Sequence, residues 1–186
     1  MKSIVKVISL GVFLSMGVVA NATADRERGE DLKWNETTRA GIAPVDNETY
    51  LQECGSCHFA YPPGFLPPQS WEKLMGSMHS HFGENVELSR SVRGTLYNYL
   101  LNNSAVRSNF EYSNKIMQGL GNNPAPLRIT ETHYFIRKHD ELTPQMVAGN
   151  PEVVSFSNCA ACHSKASEGS FKEDEVVIPG YGRYED

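Results

Sequence analysis

All four cysteines of this 186-residue chain fall in two copies of one pattern, Cys54-Gly55-Ser56-Cys57-His58 and Cys159-Ala160-Ala161-Cys162-His163. In C-x-x-C-H, two thiols three positions apart can form thioether bonds with the two vinyl groups of one porphyrin. The histidine that follows reaches the iron as an axial ligand. One copy alone is ambiguous. Two copies with no cysteine left over predict two covalently bound c-type haems, attached through Cys54, Cys57, Cys159 and Cys162. His58 and His163 are then the proximal iron ligands. This constrains the fold directly, because the chain must wrap two large, flat, apolar groups. Those groups are expected to form part of the core, and the apoprotein to fold poorly without them.

Three other uses of the cysteines compete with this. A thioredoxin-type redox pair wants a βαβ setting, which the sequence lacks, and leaves both following histidines idle. A zinc site built from all four thiols also leaves them idle. Two structural disulfides explain neither the spacing nor the histidines.

The N-terminus reads as an export signal. Lys2 and Lys6 precede an uncharged apolar run at residues 8–20, and Ala20-Asn21-Ala22 and Ala22-Thr23-Ala24 fit a small-x-small cleavage site. The competing reading is an uncleaved anchor, but the run is short against the ~20 residues a bilayer span needs. Cleavage after residue 24 would leave 162 residues, the size of one domain, with no remaining membrane span. Export to the periplasm also suits c-type haem, which is attached outside the cytoplasm. Losing Lys2 and Lys6, with no acidic residue, takes the formal charge from −5 to −7. An acidic chain without basic blocks argues against nucleic acid and for a basic redox partner.

The rest of the chain reads as mainly α with long loops. Residues 25–49 are a polar N-terminal segment, mobile or loosely docked, and the haem domain spans 50–186. Residues 59–68 hold four prolines and form an extended apolar loop. Ser70 is expected to cap a helix whose buried stripe is Trp71, Leu74, Met75, Met78 and Phe82, ending at Gly83. A second helix runs from Ser89 to Asn102 with Val92, Leu96, Tyr99 and Leu100 inward. Residues 109–126 read as a long loop with room for a turn of helix around Met117. Thr130 or Thr132 opens a short helix through Phe135, Ile136 and His139. Thr143-Pro144 opens a brief one to Val147. No strand pattern of any length is present.

Each iron has a second axial position. The six histidines leave His79, His81, His133 and His139 as distal candidates after His58 and His163 are assigned. At 100° per residue, His79 and His81 flank the Trp71 stripe equally, so helical geometry does not choose between them. His139 shares a face with Phe135 and Ile136, which slightly favours it over His133. Methionine is the rival ligand: Met75 and Met78 suit core packing better, and Met117 is the best candidate of that type.

The run Glu53 to Gly64 around the first haem element resembles the dihaem cytochrome c (DHC) family. So do His81-Phe82-Gly83-Glu84-Asn85, Leu127-Arg128-Ile129-Thr130-Glu131-Thr132, Lys138-His139, and Asn158 to His163 with residues 171–179. The resemblance covers about residues 50–180. It implies a soluble, low-spin, bis-histidine electron carrier, with His81 and His139 as the distal ligands. It also implies redox partners such as a monohaem SHP-type cytochrome or a membrane cytochrome b. Pairing His81 with His58 and His139 with His163 closes the shorter loops, 23 and 24 steps, at a slightly lower entropic cost.

Two low-spin irons closed on both faces leave no vacancy for substrate, so electron transfer is the leading function and no enzymatic activity is expected. The alternatives are a dihaem peroxidase-like enzyme and a haem-based redox or gas sensor, each with one displaceable distal ligand.

Overall fold

The computed structural model describes residues 38–122 and 125–184. The leader expected at 1–24 and most of the segment expected at 25–49 lie outside the described residues. Among the described residues are five α-helices, seven short 3-10 turns and one two-stranded antiparallel hairpin. The mainly helical, loop-rich class read from the sequence is the class observed.

Helix α1, Glu48–Cys54, delivers the first haem element. Asn47 caps it by accepting the Tyr50 N–H at 2.8 Å, and Glu48 lies in the first turn. Helix α2, Pro68–Gly76, starts from Pro67, with a proline at its first position where no N–H is needed. Ser70 is therefore inside the helix and fully buried, not its cap. The helix also ends earlier than the apolar stripe suggests. Trp71, Leu74 and Met75 are buried in it, and Met78 is buried in the 3-10 turn Met78–Ser80 that follows. Phe82 is 47% exposed with φ of 53°, well off that stripe, and Gly83 terminates no helix. Helix α3, Arg90–Asn102, matches the stretch expected from Ser89 to Asn102, and Ser89 caps it, its Oγ accepting the Val92 N–H at 3.2 Å.

These three helices enclose one core. Leu96 and Leu100 of α3 meet Trp71, Leu74, Met75 and Met78, with Tyr50 and Leu66 closing the side. Val92 and Tyr99 pack on the edge of this cluster. The Trp71 indole N–H donates to the Pro63 carbonyl at 2.9 Å, pinning the proline-rich loop to the core.

The stretch read as a loop at 109–126 contains helix α4, Glu111–Gln118, of which the expected turn around Met117 is the last. Ile116 is buried and joins Ile42 and Phe65 in a second cluster, edged by Tyr112, Tyr134 and Phe171. The packing against the proline loop is tight: a Cβ on Gly64 would sit 2.6 Å from Ser113 Oγ.

Residues 39–42, read as loosely docked, are fastened on two sides. The N–H groups of Glu111 and Tyr112 donate to the carbonyls of Arg39 and Gly41 at 2.8 and 3.0 Å. The Ile42 N–H donates to the Gly169 carbonyl at 3.1 Å. Helix α5, His133–Lys138, starts from Thr132, whose Oγ1 accepts the Phe135 N–H at 3.2 Å. Thr130 falls instead in the 3-10 turn Ile129–Glu131. Residues 143–147 make successive turns closed by Thr143 and Pro144 carbonyls, with no helix. Strands β1, Val177–Ile178, and β2, Gly182–Arg183, form a hairpin too short for any alternation to be read.

Candidate haem sites

The first haem element ends α1. Cys54 is the last residue of the helix, and Cys57 and His58 follow in the exposed turn beyond Gly55. The His58 Nδ1 lies 2.8 Å from the Phe59 carbonyl. A carbonyl only accepts, so Nδ1 carries the proton and Nε2 keeps a free lone pair, the tautomer a metal-ligating histidine needs. The ring opposite is His81. Because α2 stops at Gly76, His81 is not on a helix. It is held in a turn by two backbone bonds with Glu84, at 2.7 and 3.0 Å. The two imidazoles face each other with centroids 6.2 Å apart and planes 21° from parallel. His81 Nδ1 is buried without a hydrogen-bond partner, which costs free energy unless something else pairs with it. Phe82 packs edge-on against His81, and the Arg128 guanidinium caps Phe82 at 3.9 Å.

The second haem element forms the 3-10 turn Cys159–Ala161. His163 folds back through its N–H to the Cys159 carbonyl at 2.9 Å. The facing ring is His139, the C-terminal cap of α5, again at 6.2 Å but crossed at 72°. His139 Nδ1 lies 2.8 Å from the Phe135 carbonyl one turn back, so Nε2 is again free. Phe135 stacks on His139 at 3.9 Å and 14°, and Phe156 meets it edge-on. A cavity of about 500 Å³, within the usual range for a cofactor site, is lined by Cys159, Cys162, His163, His139, Phe135 and Phe171.

A haem fits both places. A metal–nitrogen bond of about 2 Å, plus roughly 1 Å from nitrogen to ring centre, places two axial imidazoles about 6 Å apart. Both observed separations match that distance. Burial also favours the neutral imidazole, the form that ligates iron, at His81, His139 and His163. His163 is lowered to about 4 by burial and then by nearby His139. His139 is lowered by burial, and His81 by burial, then His58, then Arg128. Burial likewise pushes the Cys54 and Cys159 thiols up to about 11 and raises Cys162. A redox-active C-x-x-C has its thiol lowered, so these environments oppose that reading.

His79 and His133 are exposed and face no other histidine ring among the described residues. Met75 and Met78 are in the first core, and Met117 does not line the cavity. Sequence reasoning overlooked Arg128, Phe156 and Tyr61 as site neighbours. Arg128 reaches Phe82 from more than forty residues away, whereas Tyr61 and Phe156 each lie three residues from a haem element, where closeness in sequence does not show which way a ring faces. Phe135 carried a signal in its i, i+4 spacing from His139.

The dihaem cytochrome c family model matches residues 50–171. Among solved structures, the chain is similar to a diheme cytochrome c from Shewanella baltica OS155. The two are 40% identical with a TM-score of 0.62, over 75% of this chain and 98% of that one. It is also similar to the diheme cytochrome c of Rhodobacter sphaeroides, at 39% identity and TM-score 0.61, over 70% and 99% of the two chains. No curated protein matches.

Proposed function

Because the chain belongs to the dihaem cytochrome c family, with two covalently bound haem c groups as its cofactors and an electron-carrying role, we propose that it is a periplasmic carrier with two closed, bis-histidine irons. The observation that carries this is the pair of facing imidazoles, His58 with His81 and His139 with His163, both 6.2 Å apart. In this reading Cys54 and Cys57 anchor one haem and Cys159 and Cys162 the other. Haem iron supplies one-electron chemistry when bound. The protein's residues do the rest. His58 with His81, and His139 with His163, would each hold one haem and keep water and small ligands off it. The bonds from His58 and His139 to backbone carbonyls fix the ring tautomer and strengthen the imidazole as a donor. Fixed rings also keep the geometry nearly the same in both oxidation states, so little reorganisation accompanies each transfer.

The partners in this reading are other redox proteins, with a monohaem SHP-type cytochrome or a membrane cytochrome b as candidates. The acidic charge suits a basic docking face.

The test is the spectrum of the reduced holoprotein with and without carbon monoxide. Two low-spin irons that ignore carbon monoxide are expected. A high-spin fraction, or binding at one iron, would overturn the carrier reading in favour of a peroxidase-like enzyme or a gas sensor.

A further inference from the structure

Tyr61 touches the first site and the loop that leads into the second. Its ring lies 5.1 Å from the His58 imidazole, tilted by 32°. Its hydroxyl donates to the Ser157 carbonyl at 2.7 Å, across a sequence separation of 96. Ser157 lies two residues before Cys159. The backbone of Tyr61 is itself held, because the Tyr50 hydroxyl donates to its carbonyl at 2.9 Å from inside the first core. Phe59 meets the Tyr61 ring in a T-shaped contact at 5.6 Å. The residue is thus held at its backbone carbonyl, at its ring and at its hydroxyl.

We propose that Tyr61 is a positioning residue that couples the two haem sites electronically. The inference rests on the ligand assignment proposed above. The route runs from the His58 ring through van der Waals contact to the Tyr61 ring. It then crosses the hydroxyl hydrogen bond to Ser157 and follows two residues of backbone to Cys159. With the haems in place, one electron would pass along this route from the reduced site to the oxidised one. Tyr61 is neither oxidised nor reduced, and its hydroxyl proton stays in place. The route is short in bonds although the loops it joins are distant in sequence. It also explains why a tyrosine in a proline-rich loop points its hydroxyl at a carbonyl of the opposite loop.

The test compares the holoprotein with Tyr61→Phe and Tyr61→Leu. The half-reduced protein gives the inter-iron exchange rate by NMR exchange spectroscopy. Spectra, both potentials and amide hydrogen exchange of residues 155–160 serve as controls. Tyr61→Phe keeps the ring and removes the hydrogen bond, so the exchange rate is expected to fall severalfold while spectra, potentials and amide protection hold. Tyr61→Leu should lower the rate further and shift the NMR signals of the His58 ring. An unchanged rate in Tyr61→Phe overturns the proposal. A fall that comes with shifted potentials and loosened amides also overturns it, leaving Tyr61 only a clasp between loops. Failure of the carrier reading would look different, because the unmodified protein would itself bind carbon monoxide.

Discussion

The imidazole of His163 crosses that of His139 at 72°, with centroids 6.2 Å apart. At the other site His58 and His81 are equally far apart but only 21° from parallel. Axial imidazoles donate π-density into the iron d orbitals that lie across their planes. Parallel rings load one such orbital and split the pair strongly, whereas crossed rings load both and split them little. The oxidised holoprotein should therefore give two different low-spin signals in low-temperature EPR. One should be an ordinary rhombic set, the other strongly anisotropic with a large maximal g value. Two superposable signals would contradict the ring geometry.

The same pairs predict a selective response to truncation. His81→Ala and His139→Ala should each open one iron, giving a high-spin band and carbon monoxide binding at about half the haem. The exposed His79 and His133 should be replaceable by Ala with neither change. Opening of an iron in His79→Ala or His133→Ala would reassign the distal ligand.

How much of this was legible in the sequence depends on reach. Asn47, Ser89 and Thr132 cap their helices through neighbours three residues on, and the latter two could be read from sequence. The turn at 77–86 could not. Helical spacing runs on through Phe82, but the chain leaves the helix at Gly76 and ties His81 to Glu84 and Val86 to Met78. His79 and His81 therefore share no α-helix, and 100° spacing does not relate them. Helix α4 hid between Asn109 and Gly119 because its two inward residues, Ser113 and Ile116, are too few to make a period stand out. The docking of residues 39–42 depends on Gly169, more than a hundred residues away. The C-x-x-C-H elements were plain because their chemistry is local.

Gly169 offers a test of that long-range strap. Its φ is +78°, and an added Cβ would lie 2.2 Å from the Ile42 carbonyl oxygen. Backbone strain of this kind costs about 1–3 kcal/mol. Gly169→Ala should lower the melting temperature of the holoprotein by several degrees. Gly94 is the counter-case, exposed within α3 with nothing near its Cβ position. Gly94→Ala should stabilise by about 0.5–1 kcal/mol through helix propensity. Equal effects in the two variants would sink the strap argument.

Glu175 gives a pH dependence. The Lys165 ammonium at 2.7 Å and the Ser170 hydroxyl at 2.6 Å hold its carboxyl below the ordinary range. A depressed acid stabilises the fold above its unfolded value, and that contribution is lost as pH falls through the folded one. Glu175→Gln should flatten the acid limb of the stability curve by lowering stability slightly at neutral pH, with low pH nearly unchanged, and the loss is small because the pair is partly solvated. Melting curves across the acid range for both proteins decide it. An identical acid limb in the variant would remove the pair from the account.

The two apolar clusters differ in the span of chain they draw on. The fully buried members of the first run from Tyr50 to Leu100, and the first C-x-x-C-H element and His81 lie within that stretch. The second begins with Ile42 and is edged by Phe171, so it gathers both ends of the fold. Closing long loops is entropically dearer and slower than closing short ones. The first haem site is thus enclosed by one short, continuous span of chain, whereas the second cluster closes only when both ends of the fold have met.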